Sequence, residues 1–134
     1  MLRISVIVCT RNRADMLKKA LDSLVHQMLD YNLYEIVIVD NGSTDETSGI
    51  IGNFQAENSS HNIVSIIEDR VGLAYARNAG IQKARGSYIG FIDDDARASA
   101  NWLETALICF NNVQPAPLGI GGLILPFYKS HKPK

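Results

Sequence analysis

The sequence predicts an α/β domain with a Rossmann-like, mostly parallel sheet that carries helices on both faces. Short apolar runs rich in β-branched residues alternate with longer segments of helical periodicity. The resulting order βαβαβαβα favours parallel strands, because parallel neighbours need a crossover between them. The length of 134 residues and the 46% hydrophobic content suit one core. We therefore expect a single domain over residues 1–128, followed by a polar tail at residues 129–134.

Four strands are predicted, at residues 4–9, 35–39, 63–67 and 88–92. Their apolar character is almost continuous, which is typical of parallel strands buried on both faces. A later apolar run at residues 120–125 is a candidate for a further strand.

Four helices are expected between and after these strands. The apolar stripe of the first consists of Leu17, Ala20, Leu21, Leu24, Val25 and Met28. The second should begin near Ser43, since Ser43 and Glu46 have the spacing of a capping box. The third is predicted at residues 73–84 and ends before Gly86. The fourth is predicted at residues 102–110, and two prolines that follow it stop the helix.

Charge and composition exclude several classes of function. The net charge of −1 comes from nearly balanced acidic and basic residues, so no nucleic-acid surface is expected. Cys9 and Cys109 lack a CxxC spacing and are predicted to be buried free thiols in a reducing compartment. No secretory leader and no apolar run of about 20 residues is found. We expect a cytoplasmic protein, in which any association with the inner face of a membrane depends on a segment missing from this chain.

Polar residues follow every predicted strand. Thr10 and Asn12 come after the first, Asp40 after the second, residues 68–70 after the third and residues 93–95 after the fourth. In open α/β sheets, ligands bind beyond the carboxyl ends of the strands. The sequence therefore predicts that these polar side chains gather along one edge of the sheet.

The strongest local signal is the run of three aspartates, Asp93, Asp94 and Asp95. Three adjacent carboxylates repel one another, and a divalent cation would offset that repulsion. Mg²⁺ and Mn²⁺ accept carboxylate oxygen together with water and substrate phosphates. In an extended segment Asp93 and Asp95 project to the same side, where both can approach one ion. Taken alone, the run fits a cap for the following helix equally well.

Other polar residues at this edge leave two interpretations open. Asp40 can accept a hydrogen bond from a base or a ribose, although local turn formation explains it better by itself. Arg77 can neutralise a diphosphate, and it is a better candidate than Arg70, whereas Arg85 fits an ordinary surface arginine. No GxGxxG or P-loop motif is present, so phosphate binding would need a metal.

Four segments together resemble glycosyltransferase family 2: residues 5–13, 38–45, 76–80 and 91–95. They occur in the family's order and cover nearly the whole chain. The resemblance implies the GT-A fold, a nucleotide diphosphate sugar as donor (most often a UDP-sugar), a Mg²⁺ or Mn²⁺ ion, and inversion at the anomeric carbon. It implies the nucleotide-sugar-binding part, ending before the acceptor half.

The resemblance also implies roles for particular residues. Donor binding is assigned to Thr10, Asn12, Asp40, Arg77, Asp93 and Asp94. Thr10 and Asn12 would lie beside the nucleoside, with Asp40 on the base. Arg77 would lie near the diphosphate or the donor sugar. Asp95 is the first choice for direct contact with the metal, and Asp93 for contact with the ribose or, through water, with the metal.

One departure from the family concerns the catalytic base. In the family a later segment supplies the carboxylate that deprotonates the acceptor, whereas Glu104 is the only acidic residue here after Asp95. We expect the base, and most of the site for a saccharide or lipid-linked acceptor, to be absent from this chain, with poor transfer as the result. A non-catalytic nucleotide-sugar-binding module and a structural α/β domain remain alternatives. A nucleotidyltransferase is a weaker one, because no glycine-rich loop follows the first strand.

Overall fold

The structure, a computed structural model, describes residues 1–126 and alternates strands with helices along the chain. The strands are β1 (Ile4–Thr10), β2 (Tyr34–Asp40), β3 (Ile63–Ile67) and β4 (Tyr88–Phe91). The helices are α1 (Ala14–Val25), α2 (Thr47–Glu57), α3 (Leu73–Lys83) and α4 (Trp102–Asn112). The predicted βαβαβαβα order is confirmed.

The four strands form one parallel sheet in the order β3-β2-β1-β4. Val37 on β2 and Phe91 on β4 flank Ile7 in register. The chain moves outward from β1 to β3 and then crosses back to place β4 on the other side of β1. The direction therefore changes between β1 and β4, which is where the ligand crevice of such sheets lies.

The two faces of the sheet are covered unequally. On one face α1, α2 and α4 enclose a core that includes Val6, Leu21 and Phe54. On the other face, among the helices of residues 1–126, α3 alone covers a smaller cluster around Ile7 and Ala76. Helices on both faces are thus confirmed.

Close packing of α3 depends on a glycine. A Cβ built at Gly80 would lie 2.6 Å from Cγ2 of Ile7. The absence of a side chain at Gly80 allows the helix backbone to approach the sheet closely. This approach fixes the height of α3, and of the Arg77 that it carries, above the sheet.

A buried carboxylate holds the amino-terminal edge of the sheet together. Glu35 is 1% exposed, and its carboxylate accepts hydrogen bonds from the Ser5 hydroxyl at 2.6 Å and from the Arg85 amide and guanidinium at 2.7 Å. Burial alone would raise the pKa of Glu35, but the bonds from Ser5 and Arg85 lower it below its ordinary value. Arg85 is therefore not the ordinary surface arginine that the sequence indicated.

The predicted capping box of the second helix is wrong. α2 begins at Thr47, four residues after Ser43, and its N-cap residue Glu46 makes no side-chain capping hydrogen bond. The Ser43 hydroxyl instead accepts a hydrogen bond from the Asn12 amide at 3.0 Å, and the Ser43 amide donates to Asp40. These contacts with other strand ends draw Ser43 into a loop, and Thr47 starts the helix with its amide bonded to Asp45.

Two further expectations differ from the structure. Residues 120–125 form no strand within the described part of the chain, because no sheet ladder includes them, and they are exposed. Met28 does not belong to the apolar stripe: α1 ends at Val25, and the Met28 amide bonds to the Ala100 carbonyl, which leaves the side chain 69% exposed. The predicted tail at residues 129–134 and the last two residues of the predicted domain lie outside the described residues.

The cysteines and the helices bear on two other expectations. Cys9 and Cys109 are free thiols as predicted, but both are only partly buried rather than buried. Within residues 1–126, no helix combines the length and the hydropathy that crossing a membrane requires.

Candidate functional site

The carboxyl ends of β1 and β4 meet at the position where the sheet changes direction. Thr10 is the last residue of β1, and Asp93 follows β4 by two residues. The Thr10 hydroxyl donates a hydrogen bond to Oδ2 of Asp94 at 2.8 Å. The predicted polar edge therefore exists, and a side-chain hydrogen bond joins the end of β1 to the loop after β4.

The three aspartates have different environments. The side chain of Asp93 is 75% exposed and Asp95 is exposed as well, whereas Asp94 is partly buried. Burial raises the pKa of Asp94, although the hydrogen bond from Thr10 opposes the shift. The outer two carboxylates are thus available to a ligand, and the middle one contacts the protein.

Arg77 reaches the same edge from α3. Its Nη2 lies 4.0 Å from Oδ1 of Asp93, and its guanidinium carbon lies 5.5 Å from the centre of the Phe91 ring. The Arg77 side chain is 44% exposed, so the ion pair is a weak surface contact. The Arg77 guanidinium and the Asp93 carboxylate consequently face solvent side by side, and the exposed Asp95 follows in the same loop.

The donor set at this edge fits a cation that is shared with a substrate. Within the part of the chain that the structure describes, no three His, Cys, Asp or Glu side chains converge as a preformed metal site. Asp93 and Asp95 supply carboxylates only. Mg²⁺ and Mn²⁺ are commonly bound in this way, by one or two carboxylates together with water and phosphate oxygens.

Asp40 closes the turn after β2 and is almost completely buried, at 4% exposed. Its Oδ1 accepts a hydrogen bond from the Ser43 amide at 2.9 Å, and its Oδ2 accepts one from the Ser48 hydroxyl. Both oxygens therefore support the local turn, which was the alternative interpretation of Asp40. Contact between Asp40 and a base stays a prediction.

Asn12 joins the loop after β1 to the loop after β2. Its backbone has a φ of 52°, a left-handed conformation that asparagine adopts more readily than most residues. Its Oδ1 accepts a hydrogen bond from the Thr44 amide at 2.8 Å, and the neighbouring Arg13 amide donates to Thr47 at 3.1 Å. A cavity of about 430 Å³ opens beside these loops and includes Asn12, Arg13, Asp45 and Glu46 in its lining.

Asn41, which directly follows β2, is a structural residue at this edge. It is 5% exposed, and its side chain donates to the carbonyls of Glu68 and Arg70 and accepts from the Gly72 amide, each at 2.8 Å. These three bonds fasten the loop after β3 to the end of β2. The glycine at position 72, directly before α3, was the available sequence signal of a constrained loop, and it adopts a positive φ of 147°.

Arg70 is neutralised within its own loop. Its guanidinium forms two hydrogen bonds with the Glu68 carboxylate, at 2.9 and 2.8 Å, and lies 4.8 Å from the centre of the Tyr75 ring. The side-chain and backbone hydrogen bonds from Arg70 hold the pKa of Glu68 at about 2. This pairing leaves Arg77 better suited than Arg70 to meet a phosphate group.

Cys9 lies beneath the site without the properties of a nucleophile. Burial raises the pKa of its thiol to about 11, which the nearby Arg77 only partly offsets. The thiol is therefore protonated at neutral pH.

Comparison with known proteins identifies relatives of this chain. The family model for glycosyl transferase family 2 matches residues 5–110. A glucosyl-dolichyl phosphate glucuronosyltransferase from Haloferax volcanii is 27% identical over an alignment that covers 99% of this chain. The structure of the Pyrobaculum calidifontis mannosyltransferase PcManGT in complex with GDP-Man and Mn²⁺ is 29% identical, with a TM-score of 0.75 over 78% of this chain. The structure of S. aureus TarS 1-349 in complex with UDP-GlcNAc is 27% identical, with a TM-score of 0.73 over 82% of this chain.

These relatives are longer than this chain, which spans 42% of the glucuronosyltransferase and 31% of each of the two structures. The structural neighbours are GT-A glycosyltransferases that bind nucleotide sugars, and their similarity confirms the α/β GT-A fold that the resemblance implied. The sheet, the order of the motifs and the family match agree: the chain belongs to glycosyltransferase family 2.

Proposed function

We propose that this chain is the donor-binding part of an inverting glycosyltransferase, which holds a nucleotide diphosphate sugar with Mg²⁺ or Mn²⁺ at the aspartate cluster. The observation that carries the proposal is the arrangement beyond β1 and β4. The exposed carboxylate of Asp93 stands beside Arg77, whose Nη2 is 4.0 Å from it, and Asp95 is exposed in the same loop. A diphosphate and a divalent cation are complementary to this pair of charge types.

The proposal gives each residue a role. The donor-binding set is Thr10, Asn12, Asp40, Arg77, Asp93 and Asp94, with Asp95 and Asp93 toward the cation. When bound, the cation stabilises the negative charge that develops on the leaving diphosphate. The Arg77 guanidinium neutralises the diphosphate or orients the donor sugar. The neighbours bound to GDP-Man with Mn²⁺ and to UDP-GlcNAc support a nucleotide sugar, and we favour a UDP-sugar.

The acceptor side of the reaction is proposed to lie mostly outside this chain. Glu104 is the only acidic residue after Asp95, and it is exposed in the first turn of α4. We propose that the general base is not among these residues and that the chain by itself transfers sugar poorly. The dolichyl phosphate named in the H. volcanii relative supports a lipid-linked acceptor, and a saccharide is the other candidate. Polysaccharide or glycolipid assembly at the cytoplasmic face of a membrane is the setting we favour.

Calorimetry tests the donor site directly. The chain is titrated with UDP and with GDP, in the presence and absence of Mn²⁺, and compared with Asp95→Ala. We expect metal-dependent binding to the wild type that falls at least about tenfold in Asp95→Ala. Asp22→Ala, on α1, is a matched control that should bind normally. Binding that needs no metal, or that is unchanged in Asp95→Ala, would contradict the proposed cation site.

The second candidate is a binding module without catalytic activity, which the lack of a suitable carboxylate after Asp95 favours. Release of the nucleotide from a UDP-sugar, measured by chromatography with acceptor sugars present, separates the two candidates. We expect this chain to bind the donor and to release nucleotide slowly. Release at an ordinary enzymatic rate would show that the catalytic base is present after all.

A further inference from the structure

We propose that Asp94 is a positioning residue, which fastens the aspartate loop (residues 93–96) to the end of β1 through Thr10. The inference rests on the proposed donor and cation site. It gives Asp94 a role that differs from direct donor binding, and it makes the geometry of the two outer aspartates depend on the bond between Thr10 and Asp94.

The ladder between β1 and β4 ends before the aspartate loop begins. The last paired residues are Ile7 and Phe91, and the Ile92 amide still donates to the Ile7 carbonyl at 3.3 Å. β1 continues to Thr10, whereas the segment that follows β4 no longer pairs with it. Within residues 1–126, the 2.8 Å hydrogen bond from the Thr10 hydroxyl to the Asp94 carboxylate holds the loop against β1.

Thr10 is a fixed point in the sheet. It is 3% exposed, it pairs in register with Asp40, and its carbonyl accepts a hydrogen bond from the Asn41 amide at 2.9 Å. A loop attached to Thr10 is therefore attached to the central strands. The aspartate loop has one internal backbone bond, from the Ala96 amide to the Asp93 carbonyl at 3.0 Å, which closes a turn.

The three carboxylates divide according to their exposure. Asp94 directs one oxygen to the Thr10 hydroxyl and is partly buried, while Asp93 and Asp95 are exposed. Anchoring the middle side chain inward directs its neighbours outward, because the loop turns at this point. Metal sites depend on such supporting hydrogen bonds, whose loss commonly weakens metal affinity by about 10- to 100-fold.

Paired substitutions separate a supporting hydrogen bond from direct contact. Thr10→Val removes the hydroxyl and Thr10→Ser keeps it; Asp94→Ala removes the acceptor and Asp94→Asn keeps one. Calorimetric titration with UDP and Mn²⁺ should show Thr10→Val and Asp94→Ala weakened by about tenfold, and Thr10→Ser and Asp94→Asn within about threefold of wild type. In the double variant Thr10→Val/Asp94→Ala, the loss should be no larger than in Asp94→Ala alone.

Two outcomes would overturn the inference while leaving the cation site intact. The first is that Asp94→Asn binds as weakly as Asp94→Ala while Thr10→Val binds normally, which would make Asp94 a direct ligand. The second is that the losses add fully in the double variant. Failure of the wild type to bind UDP with Mn²⁺ would instead reject the proposed function.

Hydrogen exchange of the ligand-free protein tests the attachment without any donor. We expect the Ala96 amide to exchange faster in Thr10→Val than in the wild type, and Thr10→Ser to restore slow exchange. Equal exchange in all three proteins would show that the bond does not hold the loop, and would overturn the inference whether or not nucleotide binds.

Discussion

The two ends of the sheet use the same kinds of charged residue in opposite ways. At the amino-terminal edge, Glu35 is 1% exposed, and its carboxylate is saturated by Ser5 and Arg85. At the carboxyl-terminal edge, Asp93 and Asp95 stand in solvent, and Asp93 makes a 4.0 Å contact with the exposed Arg77. Charges with all their partners inside the protein hold the fold together. Charges without such partners are available to a ligand.

The largest effect on stability is expected at the amino-terminal edge. Glu35→Ala should lower the free energy of unfolding by about 3 kcal/mol, because it removes the acceptor of several buried hydrogen bonds. We expect a loss near the lower end of the range for broken buried ion pairs, because the Arg85 side chain is 60% exposed and can be solvated. Urea unfolding gives the value. Glu104→Ala, an exposed carboxylate, is the control and should change little.

The pH dependence of stability provides a second measurement at Glu35. Its pKa in the folded protein is below the ordinary value of 4.5, so folding favours the charged form. The resulting stabilisation is complete above the unfolded pKa and is lost as the pH falls through the folded pKa. The difference in stability between the wild type and Glu35→Gln should therefore shrink from about pH 7 to about pH 3. A difference that grows on acidification would contradict this description.

Glycine replacements extend the comparison to backbone packing. A Cβ at Gly86 would lie 2.6 Å from backbone atoms of Ile4 and Ser5, so Gly86→Ala should cost about 2 kcal/mol. In Gly52→Ala, on α2, the new Cβ meets nothing within 4 Å, and stability should rise by up to about 1 kcal/mol. Thermal unfolding of both variants checks the opposite signs. If Gly86→Ala left the stability unchanged, the backbone at the amino-terminal edge would be able to shift and accommodate the new Cβ.

The sequence was sufficient to predict the fold because the main signals are local. The apolar runs of β1 and β2 and the stripe of α1 are visible within a dozen residues, and the rule for parallel sheets then places Thr10, Asp40 and the aspartates at one edge. The start of α2 was mispredicted because Ser43 bonds with Asp40 and with Asn12, which precedes it by 31 residues. Local spacing contains no information on such a partner.

The division between supporting and available polar residues was also beyond the sequence. Asn41 resembles any turn residue until Gly72, 31 residues later, is placed beside it. Arg85 resembles a surface arginine until Glu35, 50 residues earlier, is found beneath it. In both cases the chemistry of the side chain is the same for a structural partner and for a ligand, and only the folded topology distinguishes them.

The smallest effect on stability is expected at the carboxyl-terminal edge. Asp95→Asn removes an exposed charge next to Asp93 and Asp94, so the free energy of unfolding should change by no more than about 0.5 kcal/mol. Any change should be toward greater stability, because the substitution removes repulsion between like charges. Urea unfolding without divalent ions gives the measurement, and Asp22→Asn on α1 is the control. The same variant should lose metal-dependent nucleotide binding. A loss of stability comparable to that of Glu35→Ala would make the aspartate a structural residue and would remove the difference between the two edges. We expect stability to be nearly unchanged and nucleotide binding to be lost, because the Asp95 carboxylate would interact with the bound cation and not with the protein.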